Sequence, residues 1–342
     1  MVSIGQVHCR ASSRGFSLVE MMVAMLLGLI VIGGGISVYL ASKRSWSDSE
    51  QVNFITDNGR FALQLIGDSM RHTRFFGGPH SNDIRTDSSL GAVAGDCSGR
   101  AAAYDTDNAL FAVRATGATL LGCITDAVAG SDVLVIKGID PQPLYDSNPD
   151  DPNDLRDGVI SFPSGAWSSE STYVISNTES GIIIDGADTP PDVQEGQEFA
   201  LGVAWPYRLQ IYYVRNTPNT PTLSRKVLRW DSAASTMSLQ TQDLVQGVES
   251  LRLLFGYDTG ADGRPDTLAN LTAVESADRW QDVTSIQAFV LIRSDMPDLD
   301  YENVKTYQLG DLTFTPSDNY RRILLHRHVT LRNPRLLLMG GA

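Results

Sequence analysis

Three groups of side chains in this sequence have types and spacings that could support chemistry. The first is Asp258-Thr259-Gly260-Ala261-Asp262-Gly263-Arg264-Pro265-Asp266, with a glycine directly after Asp262. Oxygen ligands spaced around a glycine turn suit a hard cation, so Asp258, Asp262 and Asp266 are candidate calcium ligands. The pattern departs from an EF-type loop at two places. Gly260 stands where a carboxylate would be, and Ala269 where a bidentate Glu would close the loop. The competing reading is an acidic turn between two strands, which needs no cofactor. The second group is His326-Arg327-His328, which puts two imidazoles on one face of a strand. Two His do not make a metal site, and no carboxylate or Cys lies near them in sequence. A surface strand explains them better. No Walker A, HExxH, GxSxG, GxGxxG or CxxC pattern occurs, so nothing points to an enzyme.

The third group lies at the amino terminus. Met21 to Ser42 is a run of 22 residues without a charge, closed by Lys43 and Arg44. About 20 apolar residues span a bilayer as a helix. A secretory signal peptide would have a shorter apolar stretch with its small-residue cleavage site after it. Here the small residue, Gly15, comes before. A plain membrane anchor does not explain Glu20, a carboxylate at the start of the run that is costly unless paired. If the chain were cut after Gly15, an α-amino group would appear on Phe16, and Glu20 is its evident opposite charge. That pairing is strongly favoured at low dielectric, within one helix or between neighbours. Gly28 and Gly33-Gly34-Gly35 weaken the helix by up to about 1 kcal/mol each. They serve either close helix packing or local melting.

Gly15, then Phe16, with Glu20 fifth in the cleaved chain, resembles the signal of type IV prepilins and type II secretion pseudopilins. The resemblance implies that a prepilin peptidase cuts after Gly15 and methylates Phe16, and that Glu20 acts in assembly. The leader is long for the family, which leaves room for a start codon downstream of Met1.

The rest of the chain has ordinary globular composition, 42% hydrophobic and 20% charged, with net charge −13. That acidity argues against direct nucleic-acid binding, which needs clustered Lys and Arg. Of three cysteines, Cys9 lies in the leader. Cys97 and Cys123 remain. If the body is exported they form a disulfide, worth about 3 kcal/mol by chain entropy; otherwise they are two buried thiols.

Past Ser42 the pattern turns amphipathic. Phe54, Phe61 and Leu65 fall at helical spacing, as do Ile55, Ala62, Ile66 and Met70. The spacing predicts a helix to about His72, stopped by Phe76-Gly77-Gly78-Pro79. Short β-type runs follow, at 132–137, 207–214, 226–230, 250–255, 286–292 and 323–331. Two loops, 138–158 and 185–197, offer boundaries between two β lobes near Gly158 or Gln197. The expected class is α+β and pilin-like: a long N-terminal helix, membrane-spanning in its first half, packed on a mostly antiparallel sheet. The expected division is leader 1–15, transmembrane and assembly helix 16–42, amphipathic continuation 43–76, and a β-rich periplasmic head 77–342.

The C-terminal third carries a second resemblance. Val245-Gln246-Gly247-Val248-Glu249-Ser250-Leu251-Arg252, Phe255-Gly256-Tyr257-Asp258, Trp280-Gln281-Asp282-Val283, Val290 to Ser294, and Tyr320 to Asn333 are similar to segments of PilW-type minor pilins. The resemblance implies a part in priming a type IV pilus at the inner membrane of a Gram-negative cell, and a place at or near the filament tip. The implied partners are other minor pilins, the major pilin, the prepilin peptidase, the inner-membrane assembly platform and a large tip adhesin. Twitching motility and adhesion would follow from the whole machine. A minor pseudopilin of type II secretion shares the same N-terminus, and a membrane-anchored periplasmic binding domain is the alternative of another class.

Overall fold

The computed structural model describes residues 15–144, 167–218, 220–260, 262 and 264–333. Leader residues 1–14 with Cys9, Gly263, and loop positions 145–158 with the Gly158 boundary lie outside the described residues. The chain forms two compact units, one up to Gln51 and one from Val52.

The first unit is helical. Helix α1 (Leu18–Arg71) begins in it and runs unbroken through Gly28 and the glycine triplet. Ser37 Oγ donates to the Gly33 carbonyl at 2.6 Å, one turn back. From Gly15 to Glu50 every residue is exposed except the half-buried Gly28. By length and composition α1 is able to cross a membrane.

The second unit starts with the last turns of α1 and is mostly sheet. Strands β1 (Ile84–Thr86), β2 (Leu110–Arg114), β3 (Asp132–Ile139), β4 (Thr172–Ser176), β5 (Gly181–Asp185), β6 (Val203–Arg215), β7 (Thr222–Asp231) and β8 (Thr236–Gln246) form one sheet. Its order is β1-β5-β4-β6-β3-β2, with β7 on β6 and β8 on β7. Among the described strand pairs β1 with β5 is the parallel one, and a single parallel bridge joins Ala94 to Ser238 on β8. β6 pairs with β4 through Val203–Pro206, then with β3 and β7 further along.

The second sheet holds β9 (Val248–Tyr257), β10 (Thr267–Asn270) and β11 (Val283–Arg293), with a short helix α2 (Leu271–Ser276) after β10. A hairpin of β12 (Tyr307–Leu309) and β13 (Leu312–Phe314) follows. Strand β14 (Arg322–Thr330) then returns to pair with β11. All six predicted β runs are strands, and the class is α+β with a mostly antiparallel head.

The lower turns of α1 pack into this unit along Ile55, Ala62, Ile66 and Met70, all buried. Phe54 and Leu65 pack at the margin. Phe61 corrects the predicted stripe: it is 50% exposed, because its helical angle falls beside the buried seam. Two glycines in the seam let α1 approach closely. A Cβ on Gly59 would sit 2.6 Å from Leu325 Cδ1 and 2.7 Å from Ile292 Cδ1. One on Gly67 would meet the Arg327 guanidinium at 3.0 Å, and Arg327 itself donates to the Leu63 carbonyl. Leu325 and Arg327 therefore face α1. Leu324, on the opposite face of β14, packs with Phe289 beneath the β12–β13 hairpin.

Candidate functional site

The amino end of α1 is built by a reciprocal pair of hydrogen bonds. The Glu20 N–H donates to Ser17 Oγ at 3.1 Å, and the Ser17 N–H donates to Glu20 Oε2 at 3.2 Å. This is a capping box, in which Ser17 and Glu20 satisfy main-chain donors that the first helical turn leaves unpaired. The motif Ser17-Leu18-Val19-Glu20 carries that signature in its spacing, so it was readable beside the charge argument. The carboxylate also sits at the positive end of the helix dipole, which favours an anion. Phe16, before the cap, is 87% exposed. Gly15, Phe16 and Glu20 thus lie within six residues at a fully exposed helix start.

Within the head, Cys97 and Cys123 form a disulfide with Cα atoms 4.7 Å apart. It closes a loop that contains β2 and the segment leading to it. The same loop is held by a buried cation: Lys137 Nζ donates to the Arg100 carbonyl at 2.8 Å and the Asp105 carbonyl at 2.6 Å. Burial pulls the Lys137 amine down to about 8, with nearby Asp105 and Asp96 opposing. The sequence shows Lys137 as the polar end of an apolar run; its burial depends on carbonyls supplied by a distant loop.

The two sheets are tied by two adjacent side chains before and at the start of β3. Ser131 Oγ accepts from the Leu251 N–H at 3.0 Å and donates to the Leu251 carbonyl at 3.3 Å. Asp132 Oδ2 accepts from the Leu253 N–H at 2.9 Å, and Oδ1 accepts from Arg114 Nε at 2.9 Å and an Arg252 guanidinium N–H at 3.4 Å. The Asp132 side chain is wholly buried and that of Arg252 is 7% exposed. Burial raises the Asp132 carboxyl to about 6, against the pull of Arg114. Nothing in the sequence flags this clamp, since both residues read as turn and strand edge.

The candidate cation ligands lie in a tight turn between β9 and β10. Gly260 N–H is shared between Asp258 Oδ1 at 2.8 Å and Asp266 Oδ2 at 3.2 Å. Asp266 also accepts from the Thr259 N–H and hydroxyl, which hold its carboxyl below the usual range. Asp262 accepts from the Arg264 N–H. The turn brings Asp258 and Asp266 to one amide and engages Asp262 separately. Among the described residues no group of three or more His, Cys, Asp or Glu is placed to hold a metal. His326 and His328 are both exposed on β14, with the His326 ring 5.6 Å from that of Phe289.

Two family models match this chain. Residues 211–333 match Type IV Pilus-assembly protein W, a stretch that runs from β6 through the whole four-stranded sheet. Residues 10–36 match the prokaryotic N-terminal methylation motif, which contains Gly15, Phe16 and the capping box. No curated protein and no solved structure matches the chain.

Proposed function

We propose that this PilW-like type IV pilin is a minor pilin that helps prime filament assembly and is incorporated at or near the tip. The PilW family is structural rather than enzymatic. The observation that carries the reading is the start of α1. An exposed apolar helix opens at Leu18, and in its first turn Glu20 engages Ser17 through one oxygen, Oε2. Cleavage after Gly15 puts a methylated cation on Phe16. In the bilayer that cation and the carboxylate favour each other over isolation, and Oε1 offers the second acceptor. Pairing with the terminus of a neighbouring subunit would set the axial register. The head, exported to the periplasm, would meet other minor pilins, the major pilin and a tip adhesin, while the peptidase and the membrane platform act on the helix. The disulfide supports an oxidising compartment for the head.

The test compares Glu20→Gln with Glu20→Ala. Gln keeps the capping acceptor and loses the charge. Both variants should be cut and N-methylated at Phe16, read by mass spectrometry, and both should be absent from sheared pili. Incorporation of Glu20→Gln with loss of Glu20→Ala would assign Glu20 to capping alone and overturn the pairing. An unprocessed Met1 in the wild type would overturn the pilin reading itself.

A further inference from the structure

The four-stranded sheet has two edges, and the molecule treats them differently. On β9, the main-chain groups of Leu251 and Leu253 point away from β11. They are plugged by Ser131 and Asp132, and β10 covers Leu254 to Tyr257. On the other side, β14 pairs with β11 without a bulge from Ser285↔Thr330 to Arg293↔Arg322. The Ser294 N–H donates to the Arg321 carbonyl and the Leu331 N–H to the Thr284 carbonyl. The ladder alternates, so residues 321, 323, 325, 327, 329 and 331 direct their main-chain groups at β11. The N–H and C=O of Leu324, His326, His328 and Thr330 then point outward. None of these groups has a partner among the described residues. The open stretch is about 20 Å long. It contains no lysine, proline or bulge, and its one charged side chain, Arg327, turns inward to α1.

Unpaired main-chain groups at alternate residues are recognised by one chemistry, another extended chain. Charge narrows which chain. Arg321 is paired with Asp298, and Arg322 with Glu249 and Asp318, while from Ile323 to Asn333 there are two further arginines and two histidines and no acid, in a protein of net charge −13. The facing strand β11 also carries no acid. A second copy paired antiparallel through β14 would set these basic residues opposite their like, which is destabilising. We infer that the open edge of β14, from Leu324 to Thr330, receives an acid-bearing β-strand from a different polypeptide of the same filament. The inference rests on the pilin reading for where that partner resides. The chemistry of the edge stands on the register.

Proline scanning in the full-length chain tests it. Pro at His326 or His328 deletes an N–H that the head does not use, so both variants should fold, as edge strands tolerate Pro there. Arg327→Pro deletes an N–H bonded to β11 and should unfold. A photoreactive p-benzoylphenylalanine at position 328 in cells should give an adduct with another polypeptide at a peptide containing Asp or Glu. His326→Pro removes one main-chain donor from that pairing and should lower its yield by up to about tenfold. An adduct with a second copy or with residues 334–342 of the same chain would overturn the inference. So would no adduct, or a yield unchanged by His326→Pro. Sheared pili are probed for the chain in parallel. Its absence there refutes the pilin reading, whereas its presence without the adduct refutes the edge alone.

Discussion

Replacing Asp132 with Ala should detach the two sheets from each other more than any surface change could. The side chain accepts from the Leu253 N–H, from Arg114 and from Arg252, and has no solvent to fall back on. Its removal leaves a buried N–H and a nearly buried guanidinium whose next acid, Asp311, is 3.9 Å away. Breaking a buried pair from one side costs about 3–5 kcal/mol, against a typical total stability of about 5–15 kcal/mol. The assay is urea unfolding of the detergent-solubilised chain at neutral pH, with exchange of the Leu253 amide as a local reporter. A loss below about 1 kcal/mol, or an unchanged Leu253 amide, would refute the clamp. The pH dependence gives a second reading. The folded carboxyl lies at about 6, above its ordinary 3.8. The proton-linked part of its contribution is therefore fully present below 3.8 and lost as pH rises through about 6. At 1.36 kcal/mol per unit the loss is about 3 kcal/mol at most. Wild type minus Asp132→Asn should decline across that window. A flat difference would mean that the two arginines, not burial, govern the group.

The other expectations are simpler. Opening the disulfide with Cys97→Ser should cost about 3 kcal/mol for a loop of this length, and a reductant should lower the wild-type melting temperature by the same cause; an unchanged melting temperature under reductant would deny the bridge its role. Gly59→Ala should be nearly neutral, because helix propensity returns about 1 kcal/mol while only the ends of Leu325 and Ile292 must turn aside. Gly59→Leu should cost about 1–3 kcal/mol by overpacking, measured by the same urea titration. Equal stability of the two variants would place α1 further from β11 and β14 than the structure does.

Local pattern was enough to find the helix, its stop after Arg71 and six strands, because apolar runs and breakers are carried by neighbouring residues. The amino-terminal motif was legible for the same reason: Gly15, Phe16, Ser17 and Glu20 fall within six consecutive residues. What sequence could not show depends on distant partners. Phe61 falls at helical spacing and still misses the seam, since spacing fixes a face only within a few tens of degrees. Lys137 needs two carbonyls more than 30 residues away. Ser131 and Asp132 meet β9 across 120 positions. The order β1-β5-β4-β6-β3-β2, with its parallel β1, has no local signal at all.

The plug that Ser131 and Asp132 set against β9 has a bearing on how many neighbours this sheet can recruit. A sheet open on both sides could be extended from either, each added strand exposing the next, as in fibrils. Here one flank is stoppered by side chains that belong to another sheet. Strand addition on that flank is thereby confined to the four residues of β10, against the seven-residue run Leu324 to Thr330 of β14.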